Sequence, residues 1–233
     1  MENQTSSKCK HKVNELGPAL HLVKHPVRLI FTGRSTMGKT TLAVDVICES
    51  LFSQVKRCFA VCPTFWTQPA LQRLRDVPNA FTKKRVFTQV SDSVFDYIYN
   101  KIVNFPAPTL IFIDDAAAES ATNKGNKGSF SRLAIACNHI DTSMIGIFQR
   151  LSSCSPALRD NAEGLISFVP TKIQDCQIIY NEYNPFPVDP KSKELVYAAL
   201  LAAWKNARFC FIWREAFTGR IKYFIGFKSV IRF

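Results

Sequence analysis

Residues 27–40 read Val-Arg-Leu-Ile-Phe-Thr-Gly-Arg-Ser-Thr-Met-Gly-Lys-Thr. The first half is an apolar run rich in strand-forming residues and stopped by Gly33, which predicts a buried strand that enters a tight turn. The second half, residues 33–40, matches the pattern G-x-x-x-x-G-K-[ST], and apolar residues then recur at helical spacing through residue 52. The stretch therefore predicts a strand, a turn and a helix in succession.

The pattern at residues 33–40, called the P-loop below, is typical of phosphate binding. Two glycines let the backbone wrap so that successive N–H groups face an anion, and the positive end of the following helix adds to the field. We expect Lys39 to reach the β- and γ-phosphates of ATP and the Thr40 hydroxyl to ligate Mg²⁺. The predicted nucleotide-binding residues are Gly33, Arg34, Ser35, Thr36, Met37, Gly38, Lys39, Thr40 and Thr41.

A second apolar strand, predicted at residues 109–113, ends in the acidic pair Asp114 and Asp115. Side chains at the carboxyl end of a parallel strand face the crevice in which an open α/β sheet binds its ligand. Asp114 is the predicted Mg²⁺ carboxylate, and Asp115 is the predicted base that orients and deprotonates the attacking water. Glu119, four residues further on, is the alternative base.

A further predicted strand, residues 144–148, is followed directly by Gln149 and Arg150. Gln149 can contact the γ-phosphate or the attacking water. An arginine supplied to the active site of a neighbouring subunit would stabilise the charge of the transition state. Arg150, Arg159 and Arg132 are candidates for that role, and a solvated charge or a local ion pair is the alternative for each.

Strand-like and helix-like stretches alternate along the middle of the chain. The predicted strands also include residues 57–62 and 165–169, and the predicted helices are 40–52, 92–104 and 129–139. This alternation indicates an α/β fold with a mostly parallel central sheet that is covered by helices on both faces. We assign residues 25–183 to this core.

The two ends of the chain differ from the core. Residues 1–24 carry several lysines and the breaker pair at residues 17–18, which predicts a basic flexible arm. After an extended linker at 184–190, we expect a helix at 191–205 and a hairpin around Gly219. Residues 184–233 should therefore form a small helix-hairpin extension packed on the core.

Composition narrows the class of protein further. Of 233 residues, 47% are hydrophobic and 19 are Phe, which favours one folded domain with a sizeable core. The longest apolar run, residues 198–204, is far shorter than the roughly 18–20 residues that cross a bilayer, so we expect no membrane span and no signal peptide. Most of the eight cysteines lie in apolar stretches, which favours buried, reduced thiols and an intracellular compartment.

The charge balance favours a polyanionic partner. Thirty basic against eighteen acidic residues leave a net charge of +12, and nucleic acid is the first such partner to consider. Basic residues in a polar loop and in a second stretch are candidates for phosphate contacts, with simple solvation as the alternative. They are Lys124 and Lys127 in the loop, and Arg73, Arg75, Lys83, Lys84 and Arg85 in the second stretch.

Four stretches together resemble the FtsK/HerA class of P-loop ATPases, which have an ASCE/RecA-like fold. They are the P-loop, the strand that ends in Asp114 and Asp115, the strand end at Gln149 and Arg150, and residues 156–168. The resemblance covers residues 26–228 and is strongest to the poxvirus-type genome-packaging ATPases of large DNA viruses, virophages and Polinton-like elements. It implies ATP-driven translocation of double-stranded DNA into a capsid by a homo-oligomeric ring of five or six subunits. It also implies a capsid or portal-vertex partner, and a location at virus assembly sites in the host cytoplasm or nucleus, or in the virion.

Two departures and two alternatives accompany this interpretation. Many relatives carry Glu where this chain has Asp115, and no motif fixes the family's arginine finger, so that role stays divided among Arg150, Arg159 and Arg132. No nuclease-like segment follows residue 170, which argues against a terminase that also cuts its DNA. A P-loop kinase or another NTPase acting on a small molecule is one alternative; a GTPase is disfavoured, because the Asn-Lys pairs at 123–124 and 126–127 are not followed by the carboxylate that grips guanine. The other alternative is an ATP-dependent nucleic-acid-binding protein that does not hydrolyse ATP, against which Asp115 and Gln149 argue.

Overall fold

A nine-stranded sheet forms the centre of the protein in a computed structural model that describes residues 16–114, 128–170, 172–186, 189 and 191–232. The strands are β1 (Arg28–Thr32), β2 (Arg57–Val61), β3 (Val86–Phe87), β4 (Thr109–Ile113), β5 (Thr142–Phe148), β6 (Gly164–Phe168), β7 (Phe209–Arg214), β8 (Ile221–Ile225) and β9 (Ser229–Val230). The helices are α1 (Lys39–Val46), α2 (Gln72–Arg75), α3 (Asp92–Asn104), α4 (Ser129–Ala136), α5 (Pro156–Asn161), α6 (Ile173–Glu182) and α7 (Ser192–Ala207).

The strand order is β3-β2-β4-β5-β1-β6-β7-β8-β9. Strands β3 to β6 in this order are parallel, and β7, β8 and β9 are antiparallel additions. Strand β5 lies between β1, which leads into the P-loop, and β4, which ends before Asp114. The prediction of an α/β fold with a mostly parallel sheet flanked by helices is confirmed.

The core lies on both faces of the sheet. Every residue of β1 and β4 is buried, and alternate residues of β1 pack into different apolar clusters: Ile30 on one face, Leu29 and Phe31 on the other. Such strands read as continuous apolar runs because neither face meets water. Both strands are therefore held rigidly, and their carboxyl ends can position functional groups.

Helix α3 shows how local sequence signals determine where a helix begins and which of its faces packs on the sheet. The Ser91 hydroxyl caps its first turn by accepting a hydrogen bond from the backbone N–H of Val94 at 3.4 Å. Phe95, Ile98 and Ile102 recur at helical spacing and are completely buried against the sheet. The helix thus covers one face of the sheet with a single apolar stripe.

The prediction of a flexible arm is wrong for residues 18–23. Pro18–Leu22 form a 3₁₀ turn, and Ala19, Leu20 and Val23 are buried in the same cluster as Phe31. The backbone N–H of Ala19 donates to the carbonyl oxygen of Phe227 at 2.8 Å, which ties this segment to the C-terminal strands. Residues 1–15 lie outside the described part of the chain.

Residues 209–230 continue the core sheet. Strand β7 pairs antiparallel with β6 along its whole length, and β8 and β9 follow at the edge. The β7–β8 hairpin turns through Gly219, whose φ of +66° is a conformation that glycine adopts readily.

Among the described helices, none has the length and apolar character that crossing a bilayer requires.

Candidate nucleotide-binding site

The P-loop connects the buried end of β1 to the first turn of α1. Gly33 has a φ of +140°, and an added Cβ would lie 2.6 Å from the Cβ of Phe168 on β6, so both conformation and space require glycine there. Gly38 precedes α1 in a left-handed conformation, with a φ of +87°. These two positions shape the turn in front of the helix N-terminus, where backbone N–H groups favour an anion.

Lys39 lies inside the turn. It is only 7% exposed, and its ammonium group donates hydrogen bonds to the carbonyl oxygens of Gly33 at 2.7 Å and Arg34 at 2.6 Å. The positive charge is thus held at the centre of the loop and adds to the field of the helix N-terminus. The arrangement is suited to binding a polyphosphate.

Thr40 and Asp114 meet across the sheet. The Thr40 hydroxyl donates to the Asp114 carboxylate at 2.9 Å, and Asp114 is 5% exposed at the end of β4. A hydroxyl and a carboxylate are hard oxygen ligands of the kind that Mg²⁺ takes together with substrate phosphates. The two residues predicted to hold the metal are therefore adjacent, and their donor set fits it.

A cavity of about 210 Å³ opens beside these groups at the carboxyl ends of β1, β4 and β5. It is lined by Ser35, Thr36, Lys39, Thr40, Gln68, Asp114, Ile147, Phe148 and Gln149. The structure thus brings Gln149 to the P-loop and the acidic strand, as β5 stands between β4 and β1. Arg34 and Thr41 are exposed outside this lining, and Met37 packs against the apolar cluster of Phe31.

Gln68 is a lining residue that the sequence analysis did not identify. It lies seven residues after the end of β2, in the connection to α2. A polar residue after a parallel strand is the signal that singled out Gln149, but here an irregular segment separates residue and strand. Its position could therefore not be read from spacing alone.

Asp115 and Glu119, the two predicted bases, and Lys124 and Lys127 lie outside the described residues. The choice between the two bases stays a prediction. Asp114 is placed at the cavity, and Asp115 is its neighbour in the chain.

The three candidate arginines differ in their surroundings. Arg159 is 12% exposed by side chain and pairs with Glu182 on α6 at 2.9 Å. Arg132 pairs with Asp96 and stacks on Tyr99, with 4.7 Å from the guanidinium carbon to the ring centroid.

Contacts of this kind give Arg159 and Arg132 a structural role within the subunit. Arg150 is exposed, as Arg132 is, and it follows Gln149 directly at the end of β5. Of the three, Arg150 is the one that directly follows a residue lining the cavity.

The predicted basic stretch also divides into two groups. Arg73 pairs with Asp45 and Glu49, and Arg75 donates to the carbonyl oxygens of Phe65 and Gln68. Lys83 and Lys84 are exposed, and Arg85 is half-buried. The two lysines are the members of this stretch that are best placed to meet a phosphate backbone.

The described cysteines are reduced and mostly buried, as predicted. Burial raises the pKa of Cys58 and of Cys137 to about 12, so both stay protonated at neutral pH. A protonated, buried thiol is a poor nucleophile. These cysteines act as small apolar residues of the core.

A larger cavity of about 480 Å³ lies between residues 17–24, which precede β1, and residues 49–54, which follow α1. Its lining includes Leu20, Val23 and Gln54. Neither the P-loop turn nor the Asp114 carboxylate reaches it. The nucleotide site is therefore assigned to the smaller cavity, where the charges and the anion-binding turn converge.

No protein-family model and no curated protein sequence matches the chain. Among solved structures, it is similar to the genome packaging NTPase B204 from Sulfolobus turreted icosahedral virus 2 in complex with AMP, with a TM-score of 0.58 and 14% identity over 85% of this chain and 96% of that chain. The same NTPase in complex with ATP-gammaS gives a TM-score of 0.55 at 14% identity, over the same shares of the two chains.

The DNA-packaging ATPase B204 from Sulfolobus Turreted Icosahedral Virus gives a TM-score of 0.56 and 15% identity, covering 89% of this chain and 100% of that chain. At such identities the similarity concerns the fold. This chain therefore shares its fold with these packaging NTPases.

Proposed function

We propose that the protein is an ATPase that translocates double-stranded DNA and packages a viral or mobile-element genome into a capsid. The observation that carries the proposal is the hydrogen bond between Thr40 and Asp114, in a cavity that Lys39 and Gln149 also line. A protein that only binds an anion needs the P-loop but not the acid opposite it. The fold shared with packaging NTPases supports the choice among P-loop activities.

In this proposal, different residues of the chain bind the phosphates, hold the metal and activate the water. The backbone N–H groups of the P-loop and Lys39 bind the phosphates, and Thr40 and Asp114 hold Mg²⁺. When bound, Mg²⁺ supplies neutralisation of the charge that develops on the phosphate oxygens. Gln149 orients the attacking water, and Asp115, or else Glu119, accepts its proton.

The charge distribution supports DNA as the polymer that is moved. A net charge of +12 and the exposed Lys83 and Lys84 favour contacts with phosphates that do not depend on base sequence. Lys124 and Lys127 are proposed as a second set of contacts. A processive motor requires contacts of this kind, because it must pass over every sequence.

A ring of five or six subunits completes the proposal. Arg150, exposed beside the cavity, would be supplied to the site of the neighbouring subunit. A capsid or portal-vertex component would recruit the ring at the virus assembly site. The intracellular compartment inferred from the cysteines is compatible with that location.

The rate of ATP hydrolysis with and without duplex DNA, at low and moderate salt, tests this function. We expect DNA to stimulate turnover and added salt to weaken the stimulation, since bound cations are released from DNA on binding. Lys39→Ala should abolish nucleotide binding while the fold persists. DNA-independent transfer of phosphate to a metabolite would instead support a kinase, and ATP binding without turnover would support a non-hydrolysing binding protein.

A further inference from the structure

Gln68 lines the nucleotide cavity together with Lys39 and Thr40 of the P-loop. The segment that follows β2 carries it, and β2 is the neighbour of β4 on the side away from β5 and β1. The turn that follows Gln68, Pro69–Leu71, packs against α1, so Gln68 lies beside the helix that begins at Lys39 and lines the same cavity as Asp114. The side chain is half-buried.

Three hydrogen bonds fix the position of Gln68. Its backbone N–H donates to the carbonyl oxygen of Thr64 at 2.9 Å, and Arg75 donates to its backbone carbonyl oxygen at 2.9 Å. The Thr64 hydroxyl donates to the side-chain carbonyl oxygen, Oε1, at 3.1 Å. With Oε1 engaged by Thr64, the Nε2 amino group is the half of the amide that can serve a ligand, and it can only donate.

We propose that Gln68 is a further nucleotide-contacting residue, whose Nε2 group donates a hydrogen bond to an oxygen of the γ-phosphate. The inference rests on the proposed ATPase function. The P-loop wraps the β-phosphate, so the γ-phosphate extends toward the part of the cavity that Asp114 and Gln149 line, and Gln68 lines that same cavity. Gln68 thus distinguishes ATP from ADP, since ADP carries no oxygen at that position.

A neutral amide suits this role. It donates to a phosphate oxygen without adding a charge that would also strengthen the binding of ADP. The Arg75 guanidinium, which also donates to the carbonyl oxygen of Phe65 at 2.6 Å, holds the segment in place when the phosphate arrives. The segment that bears Gln68 is therefore a built part of the site.

Binding of ATPγS and of ADP to Gln68→Ala tests the inference. We expect ATPγS affinity to fall roughly 10- to 100-fold, the range for one hydrogen bond to a charged group, with ADP affinity unchanged. Gln68→Glu should lower the affinity for ATPγS more than Gln68→Ala does, because a carboxylate repels the triphosphate. This loss of affinity should become smaller as the salt concentration increases. Thr64→Val keeps the shape of the threonine side chain but removes the hydrogen bond to Oε1 of Gln68. It should therefore weaken ATPγS binding less than Gln68→Ala does.

Gln72→Ala is the matched control. Gln72 lies in the same segment, but its side chain pairs with Arg75 and Asp76 and does not line the cavity. It should leave both affinities unchanged. Equal weakening of ATPγS and ADP in Gln68→Ala, or no change in either, would overturn the inference alone. A wild-type protein that binds neither nucleotide would overturn the proposed function itself.

Discussion

Two oxygens from different strands, the Thr40 hydroxyl and an Asp114 carboxylate oxygen, lie 2.9 Å apart although 74 positions separate the residues in the chain. Thr40 is held in the first turn of α1, and Asp114 directly follows the fully buried strand β4. A hydrogen bond of this kind orients a metal-binding oxygen before the metal arrives. The chemistry of the site thus depends on single side chains whose placement is already determined.

Thr40→Val should raise the Mg²⁺ concentration that gives half-maximal ATP turnover. Valine keeps the shape of threonine but lacks the hydroxyl, so the metal loses one ligand oxygen and Asp114 loses its partner. We expect a rise of roughly 10- to 100-fold, with the midpoint of thermal unfolding nearly unchanged. Thr41→Val, at the adjacent exposed position that is predicted to bind the nucleotide and not the metal, should leave the Mg²⁺ concentration for half-maximal turnover unchanged.

Asp115→Asn should bind ATP normally and hydrolyse it slowly. The amide keeps the size of the side chain but cannot accept a proton from water, and general-base contributions amount to roughly 10²- to 10⁴-fold in rate. Single-turnover hydrolysis and a separate nucleotide titration measure the two effects. Normal turnover in this variant would assign the base to Glu119, for which Glu119→Gln is the companion variant.

At the level of helices and segments, contacts between distant parts of the chain hold the elements that support the site. Arg159 joins α5 to α6 through Glu182, and the Asp175 carboxylate on α6 accepts the backbone N–H of Ser152 at 3.0 Å, just after Arg150. The turn that carries Arg150 is therefore anchored to α6. The N-terminal segment at residues 18–23 is fixed to the opposite face in a similar way.

Leu20→Ala should destabilise the protein, although residues 1–24 read as an arm in the sequence. Leu20 is 2% exposed in the cluster that includes Phe31, and truncating a buried leucine costs about 2–5 kcal/mol. Denaturant unfolding monitored by circular dichroism measures the loss. Leu22→Ala, at a half-buried position of the same turn, should cost clearly less, and equal stability of the two variants would show that the segment does not pack.

Arg159→Ala should lower stability and leave the nucleotide site intact. The guanidinium pairs with Glu182 and donates to the carbonyl oxygen of Cys154 at 2.9 Å, so its loss leaves a partly buried carboxylate without its partner. We expect a loss of about 1–3 kcal/mol in the free energy of unfolding. Adding Glu182→Gln should cost little more, since the two residues act as a pair. Lost ATPase activity at unchanged stability would restore Arg159 as a candidate for the arginine supplied to a neighbour.

For the molecule as a whole, the question is whether one site is completed by two subunits. Arg150→Ala should hydrolyse ATP poorly, and Lys39→Ala should not bind it. If Arg150 acts on the neighbouring site, mixed assemblies contain some interfaces with an intact P-loop and an intact Arg150, and activity returns in part. The ATPase rate across mixing ratios measures this, and absence of recovery at every ratio would place Arg150 in its own subunit's site or in none.

The parts that sequence patterns predicted are those in which neighbours in the chain are neighbours in space. The P-loop, β4 with Asp114 and β5 with Gln149 belong to this group, because a buried parallel strand is a continuous apolar run and its end is marked by a polar residue. The meeting of these three ends followed from the alternation of strands and helices. The fold and the residues at the centre of the site could therefore be predicted from the sequence.

The parts that sequence patterns missed depend on pairs far apart in the chain. The Ala19–Phe227 hydrogen bond spans the whole domain, and nothing in residues 18–23 indicates what they pack against. Gln68 lines the cavity only because β2 lies beside β4, and the partner of Arg159 is 23 positions away. Local spacing carries no information about such contacts.

The continuous pairing of nine strands has a mechanical consequence. Strand β1, which bears the P-loop, is joined to β9 through β6, β7 and β8. At about 4.8 Å per strand, the far edge lies roughly 19 Å from the nucleotide crevice. A rigid tilt of the sheet about the crevice would therefore displace β9 further than any strand between it and β1.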